Sequence, residues 1–327
     1  MREGFSALMA CGAVVAAAAA AVISAPTTNA SAQAPAAPGT PAPVPPKTPW
    51  GEPDLQGIWT DETTTPLQRP ARFANQEVFT EAERAELDRV RSEVLGRERR
   101  AERGTERDVS GSYNNVFVSF KHTGARTSLI VDPPDGRLPP PATPPSGRGG
   151  RGGGRGSQYE NPEDLALQDR CIAWPAASPP YTPTVYNNNI GILQTKDNIV
   201  LQSEMIHVAR IVRMKGTHGT MASMYGDSVG HWDGATLVVD TINFDGKLNY
   251  RNTGNHLHLI ERFTRTGPDA LEYRFTVDDP KTWSRPWTAA IDMTKIDDQI
   301  YEFACHEGNA ISVIGTLKGA RMAEQGK

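Results

Sequence analysis

The chain has 327 residues, 38% of them hydrophobic and 22% charged, with a formal net charge of -4. These are ordinary values for a globular protein, and the mild negative balance excludes a polyanionic partner held by bulk charge, so no nucleic acid is expected. After the first residues, no stretch reaches the run of roughly 18 to 20 apolar residues that crosses a bilayer, so no membrane span is expected in the mature chain.

Arg2 opens a short basic segment, and Ala13 to Ile23 form an apolar run made almost wholly of Ala and Val. Ala30-Ser31-Ala32 then supplies the small-x-small pattern of a signal-peptidase site, which predicts a signal peptide over 1–32 and a mature chain in the periplasm or outside the cell. A competing reading takes Leu8-Met9-Ala10-Cys11 as a lipoprotein box that leaves a lipid anchor on Cys11; the apolar run follows that cysteine instead of preceding it. Residues 33–49 are rich in Pro and Ala and read as a tether, and folded sequence starts at Trp50. From there to Arg321 the pattern predicts a single β-rich domain, with 322–327 as a tail.

Pro49-Trp50-Gly51 leads into a first strand near Gly57-Ile58-Trp59-Thr60. Thr80-Glu81-Ala82-Glu83 is a capping box, in which hydroxyl and carboxylate satisfy free backbone N–H groups, and it opens a helix to about Arg103. The thin apolar stripe Ala85, Leu87, Val90 and Val94 places that helix on the surface. A strand pair is expected around Thr127 to Val131, followed by a Pro- and Arg/Gly-rich stretch over 138–157 that reads as a disordered insertion.

From Cys171 to His306, β-type segments alternate with tight-turn signals. Gly191 to Lys196 meets Ile199 to Arg213 across Asp197-Asn198; His231-Trp232 turns on Asp233-Gly234 into Ala235 to Phe244. His256 to Arg265 turns on Gly267-Pro268-Asp269 into Leu271 to Asp278, and Trp287 to Thr294 turns on Asp297-Asp298 into Gln299 to His306. Short connections force antiparallel neighbours. The expected product is a meander of about eight strands closing into a calycin-like, lipocalin-like barrel, with the N-terminal strands completing the sheet.

Once a signal peptide is removed, Cys171 and Cys305 are the cysteines that remain, and in an oxidising compartment a disulfide between them is the default; a metal-ligand or nucleophilic cysteine is the alternative.

Strand alternation sorts candidate site residues by face. His256, His258, Ile260 and Arg262 share one side, and Leu257, Leu259, Glu261 and Phe263 the other. The plain reading makes the polar side the solvated wall; two imidazoles on one side argue for a site. In Glu204-Met205-Ile206-His207-Val208-Ala209-Arg210, regular alternation puts Glu204 and Arg210 together with His207 opposite, and a bulge or bend is needed for all three to meet. Cys305-His306-Glu307-Gly308-Asn309 at a strand end and His231 beside Trp232 are further candidates.

Acid–base work needs a histidine, a carboxylate and a cation; His207, Glu204, Arg210, His258, Arg262, His306 and Glu307 supply that set as candidate catalytic residues. His231, Trp232, Tyr186, Asn187, Tyr301 and Trp287 are the candidate substrate-binding residues. No motif requires a cofactor. A divalent metal on His207, His258 and His306 is a further alternative, although His-Glu-x-x-His and Cys-x-x-Cys are absent. Gly-x-Ser-x-Gly and the phosphate-cradling glycine loops are absent too.

Tyr186-Asn187-Asn188-Asn189, Glu204-Met205-Ile206-His207, Gly226 to Gly234, Leu257 to Phe263 and Tyr301 to Asn309 resemble segments of a large group of exported β-rich bacterial proteins from Acidobacteria-like and Sphingomonas-like genomes. The resemblance spans roughly Trp50 to Arg321; it implies a shared fold and site and brings no activity with it. The chain departs from that pattern between Met214 and Met224, where the others carry more proline, and in its Arg/Gly insertion.

Two functions stand against each other. One is a periplasmic lyase, isomerase or hydrolase acting on a small aromatic, sugar-derived or terpenoid compound in a barrel pocket. The other is a non-catalytic carrier of a hydrophobic small molecule. The enzyme reading leans on histidines buried with carboxylates, and a pocket holding no histidine overturns it.

Overall fold

The computed structural model describes residues 46–95, 118–143, 159, 161–174, 177, 179–248 and 250–325. The signal-peptide segment, most of the tether, the end of the predicted helix and residues 144–157 of the insertion lie outside the described residues. Within the described part of the insertion, Leu138 N–H donates to Gln68 Oε1 (3.1 Å) and Ala142 N–H to the Thr282 carbonyl (2.9 Å).

The chain is mainly β. Its strands are β1 (Gly57–Thr60), β2 (Ile130–Asp132), β3 (Ile190–Gln194), β4 (Asn198–Ser203), β5 (Ala209–Arg213), β6 (Asp227–Asp233), β7 (Thr236–Ile242), β8 (His258–Gly267), β9 (Ala270–Asp278) and β10 (Trp287–Ile296). Successive strands from β3 to β10 pair side by side, and β1 pairs with both β3 and β10, closing a nine-stranded barrel. β2 adds outside the ring, on the start of β10.

The closure follows from strand length. β10 is long enough to pair with β9 along its whole length and still offer Thr294 to Ile296 to β1, whose Trp59 lies opposite Ile190 on the other side. Turn chemistry sets the hairpins: Gly234 takes a positive φ of 61° between β6 and β7, which a residue with a Cβ adopts only at a cost.

One pairing departs from the expected meander. β5 and β6 run parallel, Val212 opposite Ser228, because residues 214–226 form a connection long enough to cross over and return in the same direction. The crossover is pinned at its end, where Ser223 N–H donates to the Asn243 carbonyl and Asn243 Nδ2 to the Gly219 carbonyl.

The barrel is filled. Trp59, Phe263, Tyr273, Phe275 and Trp287 are fully buried in its interior, with Phe263 and Tyr273 stacked at 4.7 Å between ring centroids. Each buried side chain of this kind contributes roughly 1.5–3 kcal/mol. The central volume is therefore packed core, and open space for a ligand lies toward an end of the barrel.

Helix α1 (Glu81–Leu95) begins at the predicted capping box: Glu83 N–H donates to Thr80 Oγ1 (3.2 Å) and Thr80 N–H to Glu83 Oε2 (2.8 Å). It lies on the surface, held by polar contacts such as Thr123 N–H to Asp88 Oδ1 (2.7 Å). The segment expected as a last strand, Gln299 to His306, is irregular instead, and a second helix α2 (Asn309–Glu324) follows it. Ile300 faces Gly191 at the barrel wall, and Cys171 and Cys305 are joined by a disulfide that ties this irregular segment to the stretch before β3.

Candidate functional site at the barrel mouth

Alternation along β1 carries the site's central group inward. Trp59 points into the barrel, so Asp61, two residues on and just past the strand end, points to the same side and is 2% exposed. Its Oδ1 accepts from Thr63 N–H at 2.8 Å. Its Oδ2 is buried and has no hydrogen-bond partner among the described residues. Burial pushes this carboxyl up to about 6, against the hydrogen bonds from Thr63, and repulsion from Asp292 and Glu62 adds to the rise.

Asp61 borders a narrow cleft, with about 20 Å³ of room for the centres of water-sized molecules and about 350 Å³ once the open solvent at its mouth is counted, at the end of the barrel where β1 and β4 finish and β3 begins. The wall is mostly apolar, with Tyr181, Ile190, Met205, Ile291 and Met293, and Ser203, Asn187 and Asn188 add polar edges. Hydrogen bonds brace the rim: Asn188 Oδ1 accepts from Thr184 N–H (2.7 Å), and Asn188 Nδ2 donates to the carbonyls of Thr184 (2.8 Å) and Asp61 (3.2 Å).

Beneath the cleft lies a buried ion pair. Arg210 on β5 and Glu261 on β8 bond through two contacts, Nη2 to Oε1 at 2.9 Å and Nη1 to Oε2. Tyr273 donates its hydroxyl to Glu261 Oε1 (2.8 Å) and accepts from Tyr181 N–H (3.1 Å), which links the pair to the cleft wall. The Arg210 guanidinium stands 5.3 Å from the Tyr181 ring centre. Burial, and then the Glu261 charge, hold the Tyr273 hydroxyl protonated well above its ordinary range. Burial is the largest single influence and disfavours the Arg210 charge, but the attraction and hydrogen bond of Glu261, with Tyr181 and Tyr273, together outweigh it and raise the guanidinium above its ordinary value.

The predicted residues are dispersed. A 3-10 turn, Met205–His207, interrupts the long strand between β4 and β5, with Ile206 and His207 at positive φ. It buries Glu204 and sends His207 into solvent, so the bend separates them; Arg210 turns inward to Glu261 and not to Glu204. Glu204 Oε1 receives Tyr301 N–H at 3.4 Å, while the Tyr301 ring is exposed. His231, His306 and Glu307 are exposed, and Arg262 on the outer wall pairs with Asp233. Trp287 belongs to the packed core, Trp232 packs half-buried against it, and Tyr186 is half-buried. Asn187 is the member of the predicted binding set that lines the cleft. Among the described residues, no three or more His, Cys, Asp or Glu side chains form a group that could hold a metal.

His258 belongs to a different arrangement on the outside of the barrel. Its Nε2 lies 2.9 Å from Asp240 Oδ2, and His218 Nε2 lies 3.0 Å from Asp240 Oδ1. Asp227 stands 3.4 Å from His218 Nδ1 and is clamped by Arg213 (2.8 Å), so the chain of charges fastens the β5–β6 crossover to β7 and β8.

Sequence reasoning missed Asp61, Tyr181, Ser203, Met205 and the pairing of Arg210 with Glu261. A signal existed for the pair. Glu261 sits between Leu259 and Phe263 at i±2, and Arg210 between Val208 and Val212, so both charges occupy core-facing register and each needs an opposite partner. Asp61 shares the inward register of Trp59 in the same way.

The raised carboxyl of Asp61 makes folding pH-dependent with a definite sign. The folded group keeps its proton up to about pH 6, while an unfolded aspartate loses it near 4. Between these values the folded state binds more protons, so stability falls as pH rises through the window, by on the order of 2–3 kcal/mol, and is level above it. Unfolding free energies of the wild type and Asp61→Asn from urea titrations at pH 4.5 and pH 7.5 should diverge by about 2 kcal/mol, the part of the window that this interval covers; parallel profiles would sink the assignment.

No family model matches the chain, and no curated protein matches it. Matches among solved structures include a single-residue variant of the fluorescent protein UnaG, at 13% identity, over 34% of this chain and 72% of that one, with a TM-score of 0.23. Likeness at that level carries no argument about function.

Proposed function

We propose that the protein is an exported small-molecule-binding barrel whose ligand sits in the mouth cleft against Asp61. The carrying observation is a buried carboxylate oxygen without a partner among the described residues, on a side chain that borders a mostly apolar cleft. Desolvating a carboxylate is costly unless something hydrogen-bonds it, and a ligand donor at Oδ2 offsets that cost. Histidine-based chemistry finds no support in this cleft, because none of its described lining residues is a histidine; ligand binding is therefore the proposed reading. Export rests on the Ala30-Ser31-Ala32 pattern and agrees with the Cys171–Cys305 disulfide.

A thermal-melt screen of small aromatic, sugar-derived and terpenoid compounds tests this reading. A ligand at about 100 times its Kd adds about 2.7 kcal/mol, several degrees in Tm for a domain of this size. Hits should raise the Tm of the wild type and leave Thr182→Trp, which fills the cleft, unchanged. A screen without hits, or hits that stabilise both proteins equally, would refute binding at this cleft.

A further inference from the structure

We infer that the cleft selects an organic ammonium ion: a protonated amine that bonds Asp61 Oδ2, carried on a small apolar body. The inference rests on the binding reading above and narrows its ligand class.

Three observations carry it. The first is the orphaned Oδ2 of a side chain that is 2% exposed, an acceptor without a partner among the described residues. The second is the sign of the surroundings. The charged groups acting on Asp61 are Asp292 and Glu62, both carboxylates, and among the described residues no Lys, Arg or His lines the cleft. Arg126 is committed elsewhere, to Asp292 Oδ2 (3.0 Å) and the Ala290 carbonyl (3.2 Å). With no cation among the described lining residues to offset it, the Asp61 carboxylate recruits a cation, and an anionic ligand would meet repulsion without a compensating partner.

The third observation is the shape of the polar edge. Asn188 spends its side chain on Thr184 and the Asp61 carbonyl. The Ser203 hydroxyl shares the same lining as Asp61 and offers an ammonium group a second acceptor in the cleft. Tyr181, Met205 and Ile291 take the apolar body. A charge-assisted N–H···O bond is about twice as strong as a neutral one, which is the basis for discriminating an amine from its alcohol.

Calorimetric titration at pH 7.5 with phenethylamine, phenethyl alcohol and hydrocinnamate separates the cases, using the wild type, Asp61→Asn and Thr182→Trp. The amine should bind at least tenfold more tightly than the alcohol, and hydrocinnamate should be weaker still. Asp61→Asn, which removes a buried charge and so should not endanger folding, should abolish the amine's advantage while keeping alcohol affinity. Equal or tighter binding of the alcohol or acid, still lost in Thr182→Trp, would overturn the ammonium inference and leave the cleft as a binding site. Absence of binding by all three, or binding indifferent to Thr182→Trp, would overturn the binding reading itself and the inference with it.

Discussion

Glu261→Gln lowers the stability of the fold by about 3 to 5 kcal/mol, whereas Arg210→Met combined with Glu261→Leu restores most of that loss. Both side chains are within a few per cent of full burial, 3% exposed for Arg210 and 0% for Glu261. In the single variant a guanidinium stays charged in the barrel with no counter-charge, and its Nε already lacks a protein partner. The double variant removes both charges and fills the space with apolar atoms. Its residual loss comes from the Tyr273 hydroxyl, which donates to Glu261 (2.8 Å) and would be left unsatisfied at about 1–3 kcal/mol. Ser228 and Thr241 are already satisfied by each other at 2.9 Å and need no replacement. Guanidinium chloride titrations of the two variants and the wild type decide the matter. Equal losses in the single and double variants would show that compensation of charge is not what the pair supplies.

The same pair shows why the fold was more legible than the site. Hairpins announce themselves locally: Asp233-Gly234 and Gly267-Pro268-Asp269 lie between runs with period-two alternation, and β6–β7 and β8–β9 form there. The capping box at Thr80 and the pairing of Cys171 with Cys305 are local or combinatorial signals of the same kind. The parallel β5–β6 pairing is not, because nothing in residues 214–226 says on which side the crossover returns. Helix α2 was hidden by β-branched residues and by Gly315 and Gly319, whose helix propensity is poor.

At the site, histidines drew attention because their chemistry is versatile. Strand parity, however, assigns His258 and Arg262 to the outer wall of β8 and Glu261 to the interior. Alternation sorts these side chains into two faces and leaves open which face is inside. That decision depends on barrel closure through β1, a contact between residues more than a hundred positions apart. Asp61 was silent for the same reason, since its burial needs β3, β4 and β10 around it.

Reducing the Cys171–Cys305 disulfide should cost about 4 to 5 kcal/mol of global stability, because the bridge spans a sequence separation of 134 residues that includes all strands from β3 to β10. In the unfolded chain that cross-link removes loop-closure entropy, and its loss returns the entropy to the unfolded state alone, provided that both ends stay docked in the folded one. Docking has independent support: Asn309 Nδ2 donates to the Asp169 carbonyl (2.8 Å), Trp174 and Phe303 meet edge to face at 6.4 Å, and Tyr301 N–H reaches Glu204. These contacts hold the irregular segment against the barrel without the sulfur bridge, while α2 beyond it buries no side chain and contributes little. Urea titrations with and without reductant, repeated on Cys171→Ala with Cys305→Ala, measure the difference. A loss below about 1 kcal/mol, with fast amide exchange from Gln299 to Glu324 in the reduced protein, would mean that the segment leaves the barrel once the bridge opens. The folded state would then regain the same entropy, and the disulfide would act as a tether for the C-terminal segment instead of a brace for the barrel.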